Sequence, residues 1–531
     1  MKKFCEKINS YSVGKKIELF FCFLLLLSIA YFHINFMRSA GPLWRDEASS
    51  AELASRSLSD GVYYDLMYDS YPPGSTIVFH FWQKINSTDQ GYRILGLVIG
   101  LGILAGVWFC ARTLRLGFPF LTLGLLGFNA TVVRFGDTIR PHGLGVLFLL
   151  LAFASIWKLT KEKFTWLNLI SGIICAIASV QMMYQNAFFI FGLCLAGVVV
   201  SILSKDWKKS IAILSCGAIA GLTLIPYISF IRHAQKWSTV AQYLYEPNAI
   251  WPVLKSALGT TGSIYVFILA ILIAGGVLIF FVLKNRHYKT EHRDLFLFCL
   301  ITLPSVIIFL GFLQRVRVPT QPWYFLPLMS VLAISLDAFY IAVIPQKLFR
   351  TAVVLIAIIP VVPGVLSDTK IRSTNIDIIA ERISSSANAK DLVIIEPWQV
   401  GVGFNRQYSG DTKWLTLPPL TDNTIFRYDL IKEKILEEDP VKSTLELAET
   451  TLRNGNDVWV ITSTDMLTQD FKPKPRPELR TYMNPYIHYW SWLLNQTMNH
   501  TEDRKLIDTT IDQTISSLEH LRLIKYHGWH D

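Results

Sequence analysis

The sequence predicts a polytopic α-helical membrane protein with a small α/β domain at its C-terminal end, on the side away from the cytoplasm. Three observations lead there. First, 52% of the 531 residues are hydrophobic and only 17% charged, with a mean hydropathy of +0.37; soluble domains carry about 25% charged residues. Second, long apolar stretches recur as far as residue 366, with basic residues collecting in alternate short loops. Third, the remainder switches to short apolar runs separated by amphipathic ones. This composition excludes a disordered chain, a coiled coil and a disulfide scaffold.

Lys2, Lys3, Lys7, Lys15 and Lys16 precede the first apolar run, 17–37. At about 20 residues it is too long for a signal-peptide core, and it lacks a small-residue cleavage motif. It is expected to anchor the chain with its N-terminus in the cytoplasm. Further runs lie near 93–112, 117–133, 142–159, 165–182, 186–203, 209–230, 262–284, 294–313, 323–341 and 347–366. The expectation is therefore about eleven transmembrane helices. Loops assigned to the cytoplasm carry Arg112 and Arg115, then Lys158, Lys161 and Lys163, then Lys205, Lys208 and Lys209. Lys284, Arg286, Lys289 and Arg293 follow, then Lys347 and Arg350. All are short and net basic, as the positive-inside rule requires. The expected location is the plasma (inner) membrane, with 38–92, 231–261 and the tail outside.

Residues 1–367 are thus read as a transmembrane domain whose first external loop is 38–92, and 368–531 as an extracytoplasmic α/β domain. The first part carries a net charge of about +15 and the second about −5. The basicity is spread over loops, so nucleic acid is not an expected partner. In the tail, 391–396 and 457–462 have the apolar content of buried strands, and 444–454 that of an amphipathic helix ending before Gly455. A second helix is expected over 511–525. All seven cysteines precede the tail, so that domain needs no disulfide. Neither a Cys-x-x-Cys nor a His-Glu-x-x-His motif occurs, which removes the usual sequence support for a zinc site.

Residues able to do chemistry gather in three external loops. The first reads Pro42-Leu43-Trp44-Arg45-Asp46-Glu47 just after span one, then Tyr71-Pro72-Pro73-Gly74 and His80. Two carboxylates beside an Arg and a Trp at the membrane edge suit a site at lipid head groups; an interfacial Trp belt with solvated charges is the alternative. The second loop holds Asp137 and Arg140. Ionisable groups against hydrocarbon cost roughly 2.5–3.5 kcal/mol each at depth, so they tend to be paired or functional; a plain i,i+3 ion pair is the alternative. The third holds Arg315, Arg317 and Tyr324, two arginines against the positive-inside trend. Guanidinium groups bind phosphate through charge-assisted bonds, or snorkel to lipid phosphates. Acid and base converging on one surface is what transfer from a phosphate-linked donor needs. Cations stabilise the phosphate leaving group, and one carboxylate suffices to take the proton of an acceptor hydroxyl.

On these residues the chain resembles the GT-C superfamily of polyprenyl-phosphate-sugar glycosyltransferases, which includes protein O-mannosyltransferases and lipid A aminoarabinose transferases. The resemblance rests on the Asp46-Glu47 pair after span one, the Pro72-Pro73 stretch before an aromatic helix, and Gly91-Tyr92-Arg93-Ile94-Leu95-Gly96 opening span two. An acid-x-x-Arg loop before span four, Tyr324-Phe325-Leu326-Pro327 and an external C-terminal domain complete it. It implies an inverting glycosyltransferase that moves a sugar from a polyprenyl-phosphate donor to a hydroxyl of a cell-envelope acceptor: lipid A, polysaccharide or protein. Carried over residue by residue, it makes Asp46 the catalytic base, Glu47 its support and Asp137 the second-loop acid. Arg140 would touch donor phosphate or hold the acids. Arg93, Tyr71, His80, Arg315, Arg317 and Tyr324 would bind substrate. If a divalent cation is used, Asp46 and Asp137 are its expected holders. The chain departs from the family where Trp323-Tyr324 stands for a common Arg-Tyr, and where Asp137 stands for a common Glu. The alternative from another class is a transporter or flippase of a lipid-linked saccharide, which would place charge near the bilayer midplane; another is a membrane sensor whose tail binds ligand.

Overall fold

The computed structural model describes residues 13–241, 250–259, 290–316, 320–343, 347–463 and 482–530, with the single positions 268 and 477. Among these, seven helices are long and apolar enough to cross a membrane: Val13–Ser39, Asp89–Thr113, Pro141–Lys161, Asn186–Leu203, Trp207–Trp237, Arg293–Arg315 and Pro322–Ile341. The pair Leu348–Ile358 and Val362–Asp368, bent by 51°, makes a possible eighth. The chain is a multi-pass membrane protein.

Three of the eleven expected spans look different. Trp166–Met182 is helical but shorter than the rest. The run 262–284 lies outside the described residues apart from position 268. The run 117–133 is no straight span: it breaks into the turn Phe120–Thr122, a π-helical stretch Leu123–Gly127 and the short helix Ala130–Gly136. Asp337, fully buried in the helix Leu326–Val343, accepts the Thr122 N–H at 3.2 Å and its hydroxyl at 2.8 Å. An intramembrane carboxylate is tolerated where such donors meet it.

Five helices build the end of the membrane domain that faces the C-terminal sheet: α1 (Val13–Ser39), α2 (Arg45–Ser55), α3 (Leu58–Tyr68), α4 (Gly74–Gln83) and α5 (Asp89–Thr113). The last three begin at local stops. Ser57 caps α3 and Thr88 caps α5 through side-chain oxygens that accept backbone N–H groups, and Pro73 precedes α4. Glycines on α5 let other segments approach closely. A Cβ at Gly96 would lie 2.0 Å from the carbonyl oxygen of Asp137, and one at Gly100 would lie 2.1 Å from its Oδ1.

The C-terminal sheet domain has five strands: β1 (Leu392–Ile395), β2 (Lys413–Thr416), β3 (Val458–Ser463), β4 (Asp503–Ile507) and β5 (Leu521–His527), in the order β2-β1-β3-β5-β4. Strands β1, β2 and β3 are parallel, and β5 runs antiparallel to both β3 and β4. Strand β1 is buried throughout, and its side chains alternate between two cores. Leu392 and Ile394 pack with Ile431, Leu452 and Trp490, whereas Val393 and Ile395 pack with Ile376, Ile383 and Phe404. Burial on both faces is the rule for parallel strands with helices on either side. The two strands and the helix expected from the sequence are present. The second expected helix, 511–525, is not: residues 521–525 belong to β5, which pairs antiparallel with β3 and sends side chains into both cores.

This domain sits directly on the loop that follows α1. Ser373 N–H donates to the Ala40 carbonyl at 2.8 Å, Gln513 to the Ser39 carbonyl at 2.7 Å, and Arg406 Nε to Asp89 at 2.8 Å. Val402 packs into the core formed by α2, α4 and α5. Trp237 stacks on Tyr428 with centroids 5.6 Å apart and donates to the Met67 carbonyl.

The α5 glycines make a paired prediction. Gly100→Ala should lower the Tm of the detergent-solubilised protein, because overpacking of this kind costs about 1–3 kcal/mol. Gly221→Ala, where a Cβ meets nothing within 4 Å, should leave Tm unchanged or raise it slightly.

Candidate functional site

Glu47 organises the region. It is completely buried, and it stands at the third position of α2 with Trp44 as the residue before the helix. Its Oε2 accepts the Trp44 N–H at 3.4 Å, as in a capping box. Its Oε1 takes two further donors, Arg93 Nη1 at 2.8 Å from α5 and the Ile139 N–H at 2.9 Å from the second loop. Arg93, equally buried, spends its other donors on the carbonyls of Gly41 at 3.0 Å and Pro42 at 2.6 Å. One buried ion pair therefore joins the end of α1, the start of α2, α5 and the Asp137–Arg140 loop.

That arrangement separates the two carboxylates of the first loop. With Glu47 turned inward, Asp46 points into a pocket of about 120 Å³ lined by Ser49, Tyr68, Asp69, Tyr71, Arg140 and Tyr324, and closed by Ile425, Phe426 and Tyr428 of the C-terminal sheet domain. Arg140 crosses it. Its Nη1 lies 2.9 Å from Asp69 Oδ2, 3.0 Å from Ser50 Oγ and 3.5 Å from the Asp46 carbonyl, while Nη2 reaches Asp69 Oδ1 at 3.4 Å. Its guanidinium also lies 5.3 Å from the centre of the Tyr71 ring. Trp44, Phe135 and His142 pack edge-on or tilted against Trp323.

The electrostatics follow from burial and from these neighbours. Burial raises the Asp46 carboxyl above the ordinary aspartate range; Arg140 and Arg45 pull it back, and the like charge of Asp69 pushes it up again. Burial works against the charge of Arg140, yet Asp69 and Asp46 outweigh it and hold the guanidinium protonated. Asp65, one turn before Asp69 on α3, is raised well above the usual range by burial and by Asp69, and bonds Thr76. A charge from the C-terminal sheet domain reaches the site indirectly. Glu519 Oε2 accepts the Arg45 N–H at 3.3 Å, and Arg45 Nε stands 3.7 Å from both Glu519 and Asp46. Burial pushes Glu519 up to about 7 against the pull of Arg45.

The structure thus brings together Asp46, Arg140, Tyr71 and Tyr324, and separates the other expected site residues. Glu47 and Arg93 are consumed by each other. His80 Nδ1 is bonded to the Ala54 carbonyl at 3.0 Å and lines no wall of the pocket. Asp137 does not face Asp46: both its oxygens lie 2.8 Å from His33 Nδ1, between α1 and α5. Arg315 is exposed at the end of the helix Pro304–Val316, away from the pocket, and Arg317 lies outside the described residues. The sequence reading missed Asp69 and Tyr428. Asp65 and Asp69, four residues apart and just before Tyr71-Pro72-Pro73, carried a usable signal on one helical face. Tyr428 carried none, because it arrives from almost 400 positions away in sequence.

A resident divalent cation does not fit these donors. Asp69 is neutralised by Arg140, Asp137 is occupied by His33, and Asp46 and Asp137 share no space. No group of three or more His, Cys, Asp or Glu able to hold a metal occurs among the described residues.

No family model matches the chain, and no curated protein matches it by sequence. Solved structures similar to it include ArnT from Cupriavidus metallidurans bound to undecaprenyl phosphate, at 12% identity and a TM-score of 0.48 over 86% of this chain and 97% of that one. An oligosaccharyltransferase from Archaeoglobus fulgidus in complex with Zn and sulfate aligns at 12% identity and 0.43, over 92% of this chain and 73% of that one. The arabinofuranosyltransferase AftD from Mycobacteria aligns at 13% identity and 0.41, over 98% of this chain but 42% of that one. With every TM-score below 0.5, these likenesses carry no residue assignment.

The Glu47–Arg93 pair should be indispensable to the fold. Glu47→Leu leaves Arg93 buried without its counter-charge, which costs roughly 3–5 kcal/mol; thermal unfolding in detergent should show a large drop in Tm. Asp46→Asn, in the partly open pocket, should barely change it.

Proposed function

We propose that the chain is an inverting membrane glycosyltransferase of the GT-C kind, with Asp46 as its catalytic base. It moves a sugar from a polyprenyl-phosphate donor to a hydroxyl of an envelope acceptor on the external face. The observation that carries this reading is the pairing, in one pocket at the end of span one, of a partly exposed carboxylate of raised pKa with a buried, permanently charged guanidinium. The donor class is the one that the sequence resemblance implies.

Each group then has a chemical task. Asp46, ionised, accepts the proton of the acceptor hydroxyl as its oxygen bonds to the anomeric carbon. On the opposite face of the sugar the bond from that carbon to the phosphate oxygen breaks, and the electron pair leaves with the lipid phosphate. Being a weak base, the phosphate needs no proton; Arg140 stabilises its charge. Of the guanidinium groups expected at the donor phosphate, Arg140 lines this pocket and Arg315 does not. Asp69 and Ser50 aim Arg140, and Tyr71 and Tyr324 border the space that the sugar occupies. A raised pKa brings Asp46 closer to the pH at which a general base is most effective. At about 120 Å³ the pocket holds about four waters, and ligand sites commonly span about 300–1,000 Å³.

Two measurements test the assignment. Asp46→Asn should reduce sugar transfer by roughly 10²–10⁴-fold with normal membrane insertion; mass spectrometry of envelope glycolipids and glycans from cells with each variant reads the loss. Near-normal product would remove Asp46 from the chemistry. The second is the pH profile. Activity should fall as the pH drops through the raised Asp46 pKa. Asp69→Asn removes a like charge and leaves Arg140 more available to Asp46. Both effects lower that pKa, so the acidic limb should move to lower pH.

A further inference from the structure

The Gly41-Pro42 segment, whose carbonyls receive Arg93, also borders a second cavity of about 630 Å³. It contains neither Asp46 nor Arg140. The ends of α1 and α5 form one side, and Arg372, Asp377 and Arg406 of the C-terminal sheet domain form the other. It is an open groove rather than an enclosed cavity, and it lies beside the end of α1.

The charges in it are unbalanced. Arg406 is paired with Asp89, through Nε at 2.8 Å and Nη2 at 2.7 Å. Asp89 is further occupied by the Leu43 N–H and by Gln407. Arg372 bonds Asp377 through Nη2 and the Thr374 carbonyl through Nε at 2.8 Å. Arg38, the third guanidinium, is exposed and makes no ion pair or hydrogen bond with any described residue. Three cations thus meet two carboxylates. Gly41 has a φ of +69°, which favours glycine, and Arg372 lies directly against it: a Cβ there would be 2.8 Å from the guanidinium carbon. A planar guanidinium matches a phosphate with two parallel hydrogen bonds.

We propose that this groove binds the phosphate of a phosphate ester, with Arg38 and Arg372 as its ligands, at a site separate from the reacting centre. The ester is either the head group of an anionic membrane lipid or a soluble phosphate. The proposal stands apart from the sugar-transfer reading and does not need it.

The test uses the full chain in detergent, with phosphatidylglycerol, phosphatidylcholine and glycerol 1-phosphate as probes, read by native mass spectrometry and by the shift in Tm. Phosphatidylglycerol should be retained saturably and phosphatidylcholine weakly. Arg38→Gln should weaken phosphatidylglycerol binding about fivefold and Arg38→Glu about 25-fold, from roughly 1 kcal/mol per basic residue. Asp377→Asn, which releases Arg372, should tighten it, and this opposite sign separates a binding effect from misfolding. Displacement by glycerol 1-phosphate assigns the site to soluble esters; failure to displace assigns it to a lipid head group. Absent binding of both anionic probes, or affinities unchanged in Arg38→Gln and Asp377→Asn alike, would overturn the proposal.

Discussion

The half of this protein around the pocket depends on one carboxylate with three donors. Glu47 cannot be left charged in a dry interior without partners, because an uncompensated buried ion costs several kcal/mol. Here Arg93, the Ile139 N–H and the Trp44 N–H meet it together. Each donor belongs to a different piece of chain, so satisfying the charge also sets the registry between α2, α5 and the loop that carries Arg140. Neighbouring positions at the start of a helix point about 100° apart. Once Glu47 is committed inward, Asp46 is turned toward the pocket. Position 46 therefore gets its orientation from position 47.

The pocket then has its own balance. Arg140 spans it, bonded to Asp69 and within reach of Asp46, while Arg45 lies between Asp46 and Glu519. Two carboxylates near the rim face two guanidinium groups, and Arg140 can serve an incoming anion only by sharing itself with Asp69. The C-terminal sheet domain belongs to this balance. It supplies Tyr428 and Phe426 to the wall and Glu519 to the charge network, and it is fastened to the loop through Ser39, Ala40 and Asp89. A domain packed so closely acts on the pocket's volume and on its pKa values together.

Much of this was legible in the chain. Hydropathy located most of the spans, since a helix must satisfy its own backbone in lipid and announces itself as a long apolar run. It misled at 117–133, because a run that packs against Asp337 can be apolar and still be broken. The parallel strands β1 and β3 were visible as short runs buried on both faces. Strand β5 has apolar residues at 521, 523, 524 and 526, a spacing that does not alternate and was mistaken for an amphipathic helix. In the site, Asp46 and Arg140 stood out by type and membrane depth, and the same argument wrongly paired Asp137 with Asp46.

What the sequence determined by itself is where charge is forced to the edge of hydrocarbon, since that follows from composition along one dimension. It could not determine which charges meet. Glu47 and Arg93 are 46 positions apart, His33 and Asp137 104, and Arg45 and Glu519 474. Such pairings arise when whole helices pack, and the free energy that selects them comes from burying each charge beside its complement. Local pattern carries no record of that choice, so only the tertiary structure decided which carboxylate lies in the pocket and which is buried against Arg93.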